Sequence, residues 1–435
     1  MNFTSKIING HYLVSSSATG AMSLLSPTEY LVFVAISKAG SEDPGEVVKR
    51  TLASHGCKQE EIENFLGIFL RKLKQQGWFR TERVEMEVPA LQVIYLTLTT
   101  SCNLSCSYCY IGDDRRVADH FMKISEVETI IQKIRRQNPS ARVIVTGGEP
   151  FTHPKIQEIL DILESNNLRF SIGTNATLID ESLAKKLKGY LNLVHVQASL
   201  DGITPEVHSI TRGNSYQATI NGINNLAKYK VCYSLAPTLH QGNLHEILDI
   251  ARFAYCNGGF FSPNHLRKFP HAPNACNVSL EQESLRKIII ETFEKIRKEF
   301  DNTNEPEMFD NNSENIQDTR CRYVCGNAWY NVDIDWNGDV YPCHLLREKE
   351  FILGNILKED FPDILEKGRN SKTRVRAYEI PKCRECPFVA TCAGGCRASA
   401  FYNDGTLAAE DEFCEILYKF EVDKLFLKKN LSFHM

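Results

Sequence analysis

An alternation of short apolar strands with amphipathic helices, which begins near Leu91, is the feature that most restricts how this chain can fold. A tight hairpin turn joins antiparallel strands, whereas parallel strands need a longer crossover connection, which is usually a helix. Strands that alternate with helices are therefore expected to lie parallel. The pattern predicts six strands, at Gln92–Thr99, Arg142–Thr146, Arg169–Thr174, Val194–Ser199, Val231–Leu235 and Gly259–Ser262. Parallel sheets carry their functional loops at the carboxyl ends of the strands, whether the sheet closes fully into a barrel or only part way. The sequence therefore predicts an α/β fold over residues 91–300.

Residues 1–90 read as a separate unit built around three helices. The first helix is expected after Ser26, because Ser26-Pro27-Thr28-Glu29 combines a capping residue, an initial proline and a glutamate three residues on. The other predicted elements are helices at Asp43–His55 and Gln59–Gln75 and strands at Lys6–Val14, Trp78–Thr81 and Glu85–Val88. Helices with a flanking sheet suggest a winged-helix-like domain. Because these residues are not strongly basic, a peptide or protein partner is at least as expected as DNA.

The composition excludes several classes of function. The net charge is −4, so no overall field attracts nucleic acid or anionic lipid. The sequence contains no apolar run of 18 residues and no secretory signal pattern. We therefore expect a cytoplasmic protein with neither a nucleic acid nor a membrane as its partner. In a reducing compartment its 15 cysteines are not expected to form disulfides, and their uneven spacing points to metal.

The first cysteine group comprises Cys102, Cys106 and Cys109, which fall within eight residues after the first predicted strand. Three thiolates leave one iron of a four-iron cubane without a protein ligand, and that iron can bind a small molecule. The alternative is a zinc site, which requires a fourth ligand, and the nearest candidate is His120.

The Cys-x3-Cys-x2-Cys spacing of this group, with the aromatic Tyr108 before the third cysteine, resembles the radical S-adenosylmethionine superfamily. The resemblance implies a partial (β/α)6 barrel and a 4Fe-4S cluster whose open iron binds S-adenosylmethionine. It also implies reductive cleavage of that cofactor to a 5′-deoxyadenosyl radical.

Further segments match the same superfamily at the expected strand ends and imply contacts with the cofactor. These are Gly147, Gly148 and Glu149 in a Gly-Gly-Glu-Pro motif, Ser199 and Arg212 around the fourth strand, and the weaker match at Asn175. The resemblance implies that Glu149 receives the ammonium of the cofactor and that Arg212 pairs with its carboxylate. The alternatives are a helix cap for Ser199, a surface ion pair for Arg212 and a turn for Asn175.

The C-terminal region contains, in order, Cys325-x12-Gly338-x4-Cys343, Cys383-x2-Cys386-x5-Cys392-x3-Cys396 and Cys414. This pattern resembles the SPASM extension of radical enzymes that modify peptides and proteins. The resemblance implies two auxiliary 4Fe-4S clusters in residues 319–435, after a linker at 301–318. The first would be held by Cys321, Cys325, Cys343 and Cys396, and the second by Cys383, Cys386, Cys392 and Cys414. The cofactor set would then be S-adenosylmethionine with three 4Fe-4S clusters. The alternative is a pair of structural zinc sites.

The proton acceptor is harder to identify from sequence. Sulfatase-maturing relatives have an aspartate after the cysteine of a Pro-Cys-Asp segment, whereas this chain has His344 in Pro342-Cys343-His344. His344 is a candidate base, and a hydrogen bond from it to cluster sulfur is equally compatible with the sequence.

The combined pattern resembles maturases of ribosomally made peptides. In that hypothesis the N-terminal domain grips the leader of a precursor peptide, and the barrel forms an oxidative crosslink (thioether, C–C or ether). A one-electron donor such as flavodoxin or ferredoxin would be the second partner. The alternatives are an anaerobic sulfatase-maturating enzyme and an iron-sulfur electron carrier without a reaction of its own.

Overall fold

The computed structural model describes residues 3–16, 18–81, 91–112, 120–267, 269, 272, 282–300 and 324–426. Three sequence-based expectations lie outside these ranges: the strand Glu85–Val88, the linker 301–318 and the ligand Cys321.

The described part of the N-terminal unit begins with three antiparallel strands and continues with three helices. Its elements are β1 (Thr4–Ile8), β2 (His11–Ser15), β3 (Met22–Leu25), α1 (Pro27–Lys38), α2 (Pro44–Ser54) and α3 (Gln59–Gln75). The capping pattern at α1 is confirmed, because Ser26 Oγ accepts the N–H of Glu29 and the Glu29 carboxylate accepts the N–H of Ser26.

Two predicted strands of this unit are wrong. Lys6–Val14 is a hairpin, which turns at Asn9 and Gly10 with φ angles of 49° and 76°. Trp78–Thr81 is a turn after α3, where the Trp78 indole is buried and donates to Ser23 Oγ at 2.7 Å. An aromatic residue at that position therefore anchors a turn to the sheet.

The N-terminal sheet is covered on both faces. Val14 and Leu25 lie in the apolar core formed with the three helices. Leu13, on the other face, packs with Phe388 and Val422 of the C-terminal region. The N-terminal unit is therefore held against the C-terminal region by buried apolar contact.

The central sheet contains all six predicted parallel strands. They are β4 (Val93–Thr97), β5 (Arg142–Thr146), β6 (Phe170–Thr174), β7 (Leu193–Ala198), β8 (Tyr233–Leu235) and, after the short β9 (Thr238–Leu239), β10 (Phe260–Phe261). β9 pairs separately with β11 (Asn264–His265). The α/β prediction is confirmed, since five of these strands carry fully buried aliphatic side chains typical of a sheet covered on both faces.

Helices pack along this sheet between the strands. Those described are α4 (Ile124–Gln137), α5 (Ile156–Ser165), α6 (Glu181–Gly189), α7 (Pro205–Arg212), α8 (Tyr216–Lys228), α9 (Ile247–Cys256) and α10 (Gln282–Phe300). In α4 the buried residues Val127, Ile130, Ile131 and Ile134 recur at helical spacing. The short helix α7 was not predicted, although Thr204 caps it and Pro205 begins it.

The C-terminal region extends the same sheet. Its elements are β12 (Asn331–Ile334), β13 (Asp339–Tyr341), β14 (Gly354–Asn355), α11 (Phe361–Arg369), α12 (Pro381–Arg384), α13 (Val389–Cys392), α14 (Arg397–Asp404) and α15 (Cys414–Phe426). β12 and β13 form an antiparallel hairpin, and Gly338 adopts φ 86° in its turn. β12 pairs in parallel with β4, with Asp333 opposite Tyr95, so nine of the described strands form one sheet in the order β10-β8-β7-β6-β5-β4-β12-β13-β14.

No helix in the described ranges combines the length and apolar character needed to cross a membrane.

Candidate active site

Cys102, Cys106 and Cys109 are half-buried on the loop that follows β4. The Gly-Gly-Glu segment after β5 holds this loop by two backbone hydrogen bonds, from Gly148 N–H to Thr99 O and from Glu149 N–H to Ser101 O, each 2.9 Å long. The cysteine loop is therefore fixed from the neighbouring strand of the sheet.

The two glycines are required by this contact. A Cβ atom on Gly147 would lie 2.4 Å from Thr99 O, and one on Gly148 would lie 2.2 Å from Ser101 O. In the structure both glycines allow close approach of the cysteine loop, and their contact with the cofactor stays a prediction.

Glu149 is fully buried beside this loop. Its Oε1 accepts from Thr174 Oγ1 at 2.8 Å, and its Oε2 accepts from the Asn175 N–H at 2.7 Å. Burial raises the pKa of Glu149 to about 7, although these hydrogen bonds act in the opposite direction. A carboxylate that is costly to ionise in isolation is suited to receive a cation.

Asn175 links its own strand end to the cysteine loop. Its Nδ2 donates to Asn103 Oδ1 at 2.9 Å and lies 4.0 Å from Cys102 Sγ, while its Oδ1 accepts the Thr177 N–H at 3.0 Å. The turn-forming interpretation of Asn175 is thus confirmed. Its contact with a cofactor stays a prediction.

Arg212 and Asp201 form a buried ion pair, with Nε 2.8 Å from Oδ2. Burial would raise the pKa of Asp201, but Arg212 and a hydrogen bond from Tyr108 hold it below its usual range. The Tyr108 hydroxyl donates to Asp201 Oδ2 at 2.5 Å, and Arg212 Nη1 lies 3.9 Å from Cys106 Sγ. The surface interpretation of Arg212 is therefore wrong, because its side chain is 8% exposed.

Ser199 follows β7 and is half-buried, with its N–H donating to Thr174 O at 3.0 Å. The alternative of a helix cap is wrong, because Thr204 caps the helix that follows. Ser199 thus stays a candidate contact of the cofactor.

The cysteine loop has the properties of a thiolate ligand set. Burial raises the pKa of Cys102 to about 11, and the charges of Cys106 and Cys109 act in the same direction. Three thiolates that repel each other favour binding of positively charged iron. His120, the alternative zinc ligand, stacks on Trp336 at 4.3 Å between ring centroids. Within the described ranges, no three His, Cys, Asp or Glu side chains converge where one metal ion would bind.

Cys325, Cys343 and Cys396, three of the proposed ligands of the first auxiliary cluster, lie near one another. Burial raises the pKa of Cys343, and the charges of Cys396 and Cys325 raise it further. Backbone N–H groups of Leu345 and Ser399 donate to Cys343 Sγ and Cys396 Sγ at 3.4 and 3.5 Å.

The proposed ligands of the second auxiliary cluster, Cys383, Cys386, Cys392 and Cys414, line a single cavity of about 380 Å³. A cavity of this volume is large enough for a small cofactor. Burial raises the pKa of Cys392 to about 12, and the charges of Cys386 and Cys383 contribute to the same shift. Four thiols around one cavity fit a fully ligated 4Fe-4S cluster.

His344 lies between the cysteine groups and stacks on Tyr95 at 4.2 Å between ring centroids. Its Nδ1 is 3.9 Å from Cys343 Sγ. Burial, with the nearby charges of Arg347 and Arg267, lowers the pKa of His344 to about 4. His344 thus lies beside the sulfur of Cys343, and its role as a base stays a prediction.

A buried ionic network beside His344 was missed by the sequence analysis. Asp333 is fully buried on β12, where its Oδ1 accepts from Thr97 Oγ1 at 3.2 Å and its Oδ2 is 3.6 Å from Arg347 Nη1. Burial raises the pKa of Asp333 to about 6, and Arg347 acts against this shift. Three consecutive residues of β12, from Val332 to Ile334, are buried, so alternation along the strand gave no signal for a buried aspartate, and its partner on β4 is more than 200 residues away in sequence.

Residues 96–254 match the Radical SAM superfamily, and residues 325–387 match the SPASM iron-sulfur cluster-binding domain. The chain therefore contains a Radical SAM domain followed by a SPASM domain.

Among the proteins that it resembles is the antilisterial bacteriocin subtilosin biosynthesis protein AlbA of Bacillus subtilis, which is 28% identical over 69% of this chain. The match covers 65% of AlbA, so the chain spans less than two thirds of that relative. A cysteine-type anaerobic sulfatase-maturating enzyme of Clostridium perfringens is 24% identical over 77% of this chain and 96% of its own length. The solved structure of Streptococcus suis SuiB bound to precursor peptide SuiA shares the fold over 95% of this chain and 98% of SuiB, with a TM-score of 0.58 and 16% identity.

Proposed function

We propose that the protein is a maturase of a ribosomally synthesised precursor peptide, in which it forms an oxidative crosslink (thioether, C–C or ether). The observation that carries the proposal is the single sheet in which β4, before the first cysteine loop, pairs with β12 of the SPASM region. This pairing supports a shared reaction space between the first cluster and the auxiliary clusters.

At the first site, bound S-adenosylmethionine would supply the 5′-deoxyadenosyl radical that abstracts hydrogen from the peptide. Cys102, Cys106 and Cys109 would hold its cluster, leaving one iron for the cofactor. Glu149 would receive the cofactor ammonium, and the Arg212 guanidinium, held by Asp201, would pair with its carboxylate. Because Glu149, Asp201 and Arg212 are buried, water would be excluded from the charged groups of the bound cofactor.

The remaining contacts would position the cofactor. Tyr108, Asn175 and Ser199 all lie on strand ends or loops at the carboxyl edge of the sheet. Gly147 and Gly148 would contact the cofactor and would also fix the cysteine loop. His344 would accept a proton from the peptide or donate a hydrogen bond to sulfur.

The C-terminal cysteines would bind two auxiliary clusters, for a total of three 4Fe-4S clusters. Crosslinking removes two hydrogens, so the substrate radical must lose an electron after the first hydrogen is abstracted. Cys325, Cys343 and Cys396, with Cys321, would hold the nearer acceptor, because Cys343 adjoins His344 and the central sheet. The donor that reduces the first cluster would be a flavodoxin or ferredoxin.

The N-terminal domain, residues 1–90, would bind the leader of the precursor as an additional strand. In the β2–β3 pairing Ser16 N–H donates to Ala21 O, and alternation along the ladder then directs the N–H groups of Met22 and Leu24 outward. The β1 strand is more exposed than β3, but Thr4 and Lys6 of β1 line the cysteine cavity, beside which an added strand would lie. The outer edge of β3, where Leu24 O already accepts from Lys72 Nζ at 3.2 Å, is the proposed leader site.

A second candidate function is sulfatase maturation, which the similarity to the Clostridium enzyme over 96% of that enzyme favours. His344 in place of aspartate and the N-terminal unit favour a peptide maturase. An electron carrier would not need the buried arrangement of Glu149, Asp201 and Arg212.

The test is mass spectrometry of candidate precursor peptides, beginning with any encoded beside this gene, after anaerobic incubation with reconstituted enzyme, reductant and S-adenosylmethionine. A loss of two hydrogens per modification is expected, and fragmentation locates the new bond. The control is Cys106→Ala, which should lack the first cluster but retain the auxiliary ones. Conversion of a sulfatase-derived cysteine peptide to formylglycine, with no change in the precursors, would favour the second candidate.

A further inference from the structure

The Tyr418 side chain lies on α15 and lines the cavity of Cys383, Cys386, Cys392 and Cys414. Its hydroxyl oxygen is buried and has no hydrogen-bond partner within the described residues. A buried hydroxyl without a partner is costly, because it has lost its hydrogen bonds to water. Because Tyr418 lines this cavity together with four cysteines, a group bound in the cavity is a candidate partner for the hydroxyl.

Neighbouring aromatic and cationic side chains fix the ring of Tyr418. Phe388 contacts it edge to face, with ring centroids 5.1 Å apart. Lys6 of β1 lies over the ring, with Nζ 4.6 Å from its centroid. Lys6 also lines the cavity, so the N-terminal sheet places a positive charge beside the four cysteines.

We propose that Tyr418 donates a hydrogen bond to a sulfur of the second auxiliary cluster and that Lys6, through its position over the tyrosine ring, adds positive charge there. The inference rests on the proposed cluster at Cys383, Cys386, Cys392 and Cys414. Hydrogen bonds to sulfur and nearby positive charge stabilise the more negative, reduced form of an iron-sulfur cluster. Both residues therefore raise the reduction potential of the second auxiliary cluster.

Through Lys6, the N-terminal domain would influence electron transfer at the second auxiliary cluster. Leu13, on the strand next to Lys6, is buried against Phe388 and Val422. A displacement of the N-terminal sheet would move Lys6 and its neighbours together, because cross-strand pairing joins Lys6 to Leu13. The reduction potential of the second auxiliary cluster would then depend on the position of the N-terminal domain.

The experiment uses the full-length chain with Cys106→Ala, so that the auxiliary clusters are observed without the first cluster. Potentiometric titration followed by electron paramagnetic resonance gives their midpoint potentials, and Cys392→Ala in this background identifies the signal of the second cluster. Tyr418→Phe should shift that signal to a more negative potential and remove an exchangeable-proton coupling from the reduced cluster. Lys6→Gln should shift the potential in the same direction but retain the coupling.

Tyr229→Phe is the matched control, because it removes a hydroxyl that contacts Glu181 on the outside of the central domain. It should leave both potentials unchanged. An assembled cluster with the same potential and proton coupling in Tyr418→Phe would overturn the inference. Unchanged iron content and spectra in Cys392→Ala would instead overturn the cluster assignment on which it rests.

Discussion

The Arg212 guanidinium is held between an acidic side chain and a cysteine: its Nε lies 2.8 Å from Asp201 Oδ2 and its Nη1 lies 3.9 Å from Cys106 Sγ. Asp201 Oδ1 in turn accepts the Thr238 N–H at 2.9 Å. The Asp201 carboxylate, which the backbone of Thr238 holds, thus fixes the Arg212 guanidinium beside Cys106. Asp201 is a positioning residue, which acts through Arg212.

Asp201→Asn should weaken both the fold and the binding of S-adenosylmethionine. Removal of one partner of a buried ion pair leaves the other charge uncompensated, at a cost of roughly 3–5 kcal/mol. Denaturant unfolding and equilibrium binding of the cofactor measure the two effects. The control, Lys228→Gln, breaks an exposed pair with Glu181 and should change neither. A variant with wild-type stability and affinity would contradict the role of Asp201.

Gly148→Ala should prevent assembly of the first cluster while the auxiliary clusters form. The new methyl group would lie 2.2 Å from Ser101 O, so the cysteine loop must move. Iron content and cofactor cleavage are the measurements. Gly189→Ala, at the end of α6 with no atom within 4 Å of the new methyl group, should retain both. Full iron content and cleavage in Gly148→Ala would show that the loop tolerates displacement.

Binding of S-adenosylmethionine should weaken as the pH falls below about 7. Burial raises the pKa of Glu149 to about 7, so the free enzyme increasingly carries a neutral carboxyl group below that pH. A cofactor ammonium stabilises the ionised form, and binding must then release a proton. Dissociation constants measured between about pH 6 and 8 should show this dependence. Glu149→Gln should bind more weakly and without it, whereas the exposed-site variant Glu181→Gln should behave as wild type.

Met22→Pro should reduce the affinity for the leader peptide without unfolding the N-terminal domain. Proline removes an N–H that is directed away from β2, so the existing ladder is retained. Ser5→Pro is matched to it, since it removes an outward N–H from the opposite edge on β1. Fluorescence anisotropy with a labelled leader peptide measures the affinity of each variant. Equal loss of affinity in the two variants would argue against β3 as the site.

Deletion of the N-terminal domain is a poorer test of leader binding. Leu13 is fully buried against Phe388 and Val422, so a truncated chain would expose apolar surface of the C-terminal region. Single substitutions at the sheet edges avoid this effect.

Local patterns in the sequence predicted the elements of the central domain well. β5 has the predicted bounds, and the cap of α1 forms as expected, because strand periodicity and capping depend on neighbouring residues. The resemblance to the SPASM extension grouped Cys383, Cys386, Cys392 and Cys414, and these four residues line one cavity.

Contacts between residues far apart in the sequence could not be predicted from local patterns. Nothing in Asn331–Ile334 indicates pairing with β4, and the Asp201–Arg212 pair depends on the unpredicted helix α7. The surroundings of Tyr418 combine residues from the two ends of the chain. Such contacts are determined by packing of whole elements, which a local window does not contain.

The pairing of β4 with β12 has a consequence for synthesis of the protein. Val93 is opposite Asn331 in this pairing, so β4 leaves the ribosome long before its neighbour on that side exists. During that interval the nascent central domain exposes a strand edge that can pair with other chains. Fragments that stop at residue 300 should therefore aggregate, and co-expression of residues 319–435 should restore solubility only if the missing strand adds in trans.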